Sequence, residues 1–120
     1  MSLGPTIYFN VRLLDPATGL DNIGALLTQD GIVVDYGPGL DKNSLPSKAR
    51  MIDCTGLCLS PGFIDIHTHA RADLVSPDAA LMANYLTQGV STVIIGNDGD
   101  GATRIQKRFD TIFAHGAGTN

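Results

Sequence analysis

Two imidazoles two positions apart, His67 and His69, are the residues of this sequence best suited to chemistry. On an extended strand, side chains two apart project to one face. Phe63, Asp65, His67 and His69 therefore share one side, and Ile64, Ile66 and Thr68 take the other. Two neutral imidazoles so placed make half a site for zinc or a similar divalent ion. The competing reading is a solvated or mutually satisfied polar pair. Its position argues against that, because the pair ends an apolar strand that follows Pro61-Gly62 and precedes a capped helix.

A second group falls at Gly96-Asn97-Asp98-Gly99, after another apolar run. Neighbouring parallel strands end about 5 Å apart, which puts Asp98 in reach of an ion held by His67 and His69. Its carboxylate would be a ligand or would orient activated water. The same four residues also read as a plain turn that caps the next helix, and both readings stay open. Arg71 and Asp73 follow the histidines. Arg71 has the fork geometry to hold a substrate carboxylate, and Asp73 could brace a ligand histidine from behind; an exposed ion pair is the alternative. His115 sits at a helix C-terminus, where a cation meets the dipole favourably, and is not assigned to metal. Cys54 and Cys58 are expected as packed, free thiols.

The elements that must position these groups change character midway. Strands are expected over 7–14, 24–28, 32–36, 49–53 and 57–60, with turns at Asp15-Pro16-Ala17-Thr18-Gly19 and Asp30-Gly31 and a loop over 40–50. The second half reads as a strand over 63–69, then a helix opened by Ser76-Pro77-Asp78 and stopped by Gly89. An apolar parallel strand over 90–96 follows, covered on both faces. Ile105, Phe109, Ile112 and Phe113 then make the apolar stripe of a last helix, ended by Gly116. Antiparallel strands followed by βαβα suggest a small β-sandwich over 1–58. Residues 59–120 then open a barrel or a layered sheet.

Composition narrows the function classes. At 43 % hydrophobic and 17 % charged residues, the 120-residue chain is built to fold. A net charge of −4 supplies no basic surface for nucleic acid or anionic lipid, so a small molecule is the expected partner. No apolar run nears the roughly 18 residues of a membrane span. The start lacks signal-peptide regions, so a cytoplasmic location is expected, and Met1-Ser2-Leu3 reads as a cloning remnant.

Ile52-Asp53-Cys54-Thr55-Gly56 and Leu59-Ser60-Pro61-Gly62-Phe63-Ile64-Asp65-Ile66-His67-Thr68-His69 resemble the entry to the catalytic barrel of the amidohydrolase superfamily. The upstream strands resemble that superfamily's N-terminal β-sandwich. Within it, Gln88-Gly89-Val90-Ser91-Thr92-Val93-Ile94-Ile95-Gly96-Asn97 is most similar to the N-acyl-D-amino-acid deacylase (D-aminoacylase-like) branch. The resemblance implies a TIM-type (β/α)8 barrel, of which residues 59–120 supply the first two βα units. It also implies that His67 and His69 hold a divalent metal, usually zinc, which activates water for attack on the amide of an acylated amino acid. The deacylase branch commonly carries a cysteine ligand just after Gly-Asn, whereas this chain has Asp98. Arg71 falls where dihydroorotase-like relatives hold a substrate carboxylate, which keeps a cyclic-amide hydrolase as the alternative.

Six further βα units and the proton-shuttling aspartate are expected beyond Asn120. The chain is then a segment of a longer enzyme, inactive alone, or a truncated module that serves interaction or assembly. Its open barrel edge would invite self-association.

Overall fold

The computed structural model describes residues 3–40, 45–99 and 101–120. They form two compact units, Met1–Pro61 and Gly62–Asn120. Part of the loop expected over 40–50, and the first two residues of the Met1-Ser2-Leu3 reading, lie outside the described residues.

The first unit is one sheet of five strands: β1 (Thr6–Asp15), β2 (Leu20–Gln29), β3 (Ile32–Gly37), β4 (Arg50–Asp53) and β5 (Cys58–Leu59). The order is β3-β2-β1-β4, with β5 also paired to β1. Both early hairpins are antiparallel, but β4 and β5 run parallel to β1. Where a small β-sandwich is expected, the described residues form a single mixed sheet, in which β2, β4 and β5 pair with β1 and β3 pairs with β2. Pairing of Leu59 with Leu13 also carries residues 59–61 with this unit.

Local chemistry explains the turns. Asp30 and Gly31 take φ of 52° and 80°, the two positive angles that a two-residue hairpin matching strand twist requires. Asp15 closes the other turn with its carboxylate, accepting from Ala17 N at 3.0 Å and Thr18 Oγ1 at 2.8 Å.

A bulge in β1 divides the core. The register slips between Tyr8 and Val11, and Asn10 sits at φ 57°, so one extra residue turns the odd-numbered side chains to the other face. Ile7 packs with Ala25 and Leu27, while Val11 and Leu13 pack with Cys54. Cys54 is thus the packed thiol that was expected. Cys58 is exposed, against expectation, since its alternate position on β5 points away from that cluster.

The second unit holds the parallel pair β6 (Phe63–Asp65) and β7 (Val90–Val93), with α1 (Arg71–Leu74), α2 (Ala83–Leu86) and α3 (Ile105–His115). Ala70, Leu74, Met82 and Val93 form its buried cluster. Helix α3 matches its expected span. Three other expectations need correction.

The strand expected over 63–69 stops at Asp65, whose Oδ1 accepts from His67 N at 3.1 Å and bends the chain out of the ladder. The helix expected from Ser76 to Gly89 is broken, with Met82 in the left-handed region at φ 55°. The Ala80 carbonyl, which a continuous helix would offer to Asn84, accepts instead from Gly118 N at 2.8 Å. Met82 is drawn into the core while Leu81 turns outward. Finally, the strand expected over 90–96 ends at Val93, which is buried, whereas Ile94 beyond it is 47 % exposed and Ile64 on β6 is 63 % exposed. At the outer edge of β7, the Asn120 N–H donates to Ser91 O and the Asn120 carbonyl accepts from Val93 N, each at 2.9 Å.

Candidate metal centre

The two parallel strands deliver one donor group each. Past β6, the chain turns at Asp65 and presents His67 and His69. Past β7, Gly96 at φ 94° and Gly99 at φ 78° flank a turn in which Asp98 itself adopts φ 56°. Asparagine and aspartate tolerate that left-handed backbone better than other non-glycine residues.

The arrangement brings His67, His69 and Asp98 together, with one ligand atom of each within 4.8 Å of the others. His67 Nε2 lies 2.9 Å and His69 Nε2 3.5 Å from the same Asp98 Oδ2. The two rings stand 5.6 Å apart at 44°. Donors bound at 2.0–2.1 Å to a tetrahedral zinc ion are separated by about 3.4 Å. The His69–Asp98 spacing suits that value directly, and His67 needs only a small shift. Two imidazole nitrogens and one carboxylate oxygen also suit a divalent ion chemically. All three side chains are more than half exposed, so a ligand could reach them from solvent.

The bends behind the ligands are tied down. Thr68 is buried and gives both its N–H and its hydroxyl to the Ile94 carbonyl. Asn97 Nδ2 donates to that same oxygen. Sequence reasoning placed Thr68 on the face opposite the histidines but missed its hydroxyl bond, and it missed the bracing by Asn97 altogether. The signal available was a threonine between two histidines and an asparagine before the aspartate.

Arg71 is not gathered into this group. It opens α1 and lines a cavity of about 760 Å³ with Leu74, Arg108, Phe109 and Ile112, whose walls include none of the three donors. Its carbonyl accepts from Arg108 Nη1 at 3.2 Å. Asp73 also lies in α1. His115 ends α3, with Nδ1 2.8 Å from the Gly116 carbonyl oxygen. Cys54 and Cys58 belong to the first unit. Among the described residues no helix is long and apolar enough to cross a membrane.

No protein-family model matches the chain. It is 46 % identical over 65 residues to a dihydroorotase of Wolbachia sp. subsp. Brugia malayi, a match covering 53 % of this chain and 15 % of that protein. A dihydroorotase of Ehrlichia canis is also 46 % identical over 65 residues, covering 53 % and 14 %. The chain thus matches about one-seventh of the length of these relatives. Among solved structures, an uncharacterized protein superposes with a TM-score of 0.63 at 21 % identity, covering 96 % of this chain and 31 % of its own; that likeness concerns the fold alone. A structure described as an amidohydrolase matches with a TM-score of 0.53 at 26 % identity, covering 74 % and 24 %. Mixed α/β fold, donor set and relatives together support a relationship to the metal-dependent amidohydrolase superfamily.

Proposed function

We propose that this chain carries the opening part of the metal centre of a hydrolase that cleaves the C–N bond of a cyclic amide, in the manner of a dihydroorotase. The carrying observation is the convergence of His67, His69 and Asp98 from the ends of two parallel strands. In this reading the second unit is the first two βα units of a (β/α)8 barrel, in which strand C-terminal ends build the active site.

His67 and His69 would hold the metal through Nε2 and Asp98 through a carboxylate oxygen. Zinc is the proposed ion, since it accepts mixed nitrogen and oxygen donors. When bound, such an ion acidifies water and polarises a carbonyl. Asp98 is a harder donor than a cysteine thiolate, which moves the site away from the softest metals. The resemblance to dihydroorotases makes Arg71, two positions beyond His69, the proposed holder of a substrate carboxylate, although it lines the cavity beside α3, whose walls include none of the three donors.

Deacylation of N-acyl-D-amino acids is the weaker reading. It rests on the Gln88–Asn97 string, whereas relatives named dihydroorotase support the cyclic-amide alternative. The test is to load the gene product containing this segment with zinc and offer it dihydroorotate and an N-acetyl-D-amino acid. Ring hydrolysis of the first is expected. Turnover of the second alone would reverse the assignment, and turnover of neither would end it.

A further inference from the structure

The two halves of the candidate centre meet at one backbone oxygen. The Ile94 carbonyl accepts from Thr68 N at 3.1 Å, Thr68 Oγ1 at 3.0 Å and Asn97 Nδ2 at 3.2 Å. Thr68 lies between the two histidines, and Asn97 immediately precedes Asp98. The N–H of Ile94 donates to Asp65 O at 2.8 Å, so residue 94 grips the end of β6 from both its polar atoms.

This matters because regular pairing stops short of the ligands. Strand β6 ends at Asp65 and β7 at Val93, so no continuous ladder fixes residues 67–69 or 97–99. The bonds to Ile94 do that work from behind. Thr68 is only 4 % exposed, and a buried hydroxyl with a partner is costly to strip of it.

We propose that Thr68 and Asn97 are positioning residues, which set the separation between the imidazole pair and the Asp98 carboxylate by sharing the Ile94 carbonyl. The proposal rests on the reading of His67, His69 and Asp98 as a metal centre. Valine at position 68 keeps the shape and removes the hydroxyl donor. Serine keeps the donor and removes a methyl group. The pair of variants therefore separates hydrogen bonding from packing.

The test is cobalt(II) titration of the chain, followed by visible absorption, with thermal melts to verify folding. Thr68→Val should lose affinity by about tenfold, the smaller end of what outer hydrogen-bond partners contribute to metal sites. Thr68→Ser should retain it. Asn97→Ala should lose a similar amount. The double variant should lose less than the product of the two, since both act through one acceptor. Unchanged binding in Thr68→Val, or a loss in Thr68→Ser alone, would overturn the proposal, as would losses that simply multiply. If the unaltered chain takes up no cobalt, the metal reading fails instead. The positioning claim is then decided on the metal-free chain by the ring proton NMR signals of His67 and His69. Shifts of both in Thr68→Val but not in Thr68→Ser support it, and unchanged signals refute it.

Discussion

His67 Nε2 stands 2.9 Å from Asp98 Oδ2, although 31 positions separate the two residues along the chain. Parallel pairing of β6 with β7 creates that proximity, and two tight bends complete it. As a donor, Asp98 contributes both an oxygen and a negative charge. Asp98→Asn removes the charge at nearly constant shape. We expect metal affinity to fall by at least about tenfold, because even an outer hydrogen-bond partner is worth that much. Equilibrium dialysis against zinc checks it, and undiminished uptake would remove Asp98 from the centre.

Asp98→Cys should change metal preference rather than abolish binding. A thiolate is softer than a carboxylate and favours zinc over harder ions such as manganese. Competition between the two metals is the measurement, with a rise in the zinc-to-manganese ratio expected.

Gly62 permits the close approach of β6 to β7. A Cβ placed there would collide with the Ser91 side chain, its Cβ only 2.6 Å away. The hydroxyl could rotate aside, but the Ser91 Cβ could not. Gly62→Ala should therefore destabilise by about 1–3 kcal/mol, the usual cost of overpacking. Urea denaturation measures this. Adding Ser91→Gly should recover part of the loss, which a purely conformational penalty at residue 62 would not allow.

How much of this was legible in the sequence divides along a physical line. Turn chemistry at Asp30-Gly31 and the α3 stripe were readable because backbone angle and helical spacing are local properties. The gathering of His67 and His69 was anticipated from strand alternation, yet the strand ends at Asp65 and an Asp65 side-chain bond shapes the segment instead. The left-handed break at Met82 was illegible, since it depends on Gly118, 36 positions away, taking the Ala80 carbonyl. The Asn10 bulge was hidden for a related reason. Both faces of β1 are apolar, so alternation gave no sign of the flip.

Asp15 provides a test by pH. The Thr18 hydroxyl, then the Ala17 N–H, hold its carboxyl below the ordinary value near 3.8, with a smaller contribution from Tyr36 Oη. A carboxyl lowered on folding stabilises fully above its unfolded value, and that contribution disappears as pH falls through the lowered folded value. The turn between β1 and β2 should thus loosen only in acid below the ordinary carboxylate range. Carboxyl-carbon NMR of Asp15 would follow it. Asp15→Asn should flatten that part of the pH dependence, and an Asp15 titration at or above the ordinary value would contradict the hydrogen-bond reading.

Apolar surface should govern behaviour in solution. Phe63, Ile64, Ile66 and Phe113 are all well exposed, and large apolar side chains left in water promote association. Sedimentation should show concentration-dependent self-association of the chain, reduced by Phe113→Lys. A monomer across the whole range that binds no apolar dye would contradict this expectation.

The most direct measurement is zinc K-edge X-ray absorption on the zinc-loaded chain, alongside His67→Ala and His69→Ala. A first shell of nitrogen and oxygen at about 2.0–2.1 Å is expected. Scattering from two imidazoles should fall to one in either variant. A sulfur shell at about 2.3 Å, or imidazole scattering that survives both substitutions unchanged, would contradict a centre built from His67, His69 and Asp98.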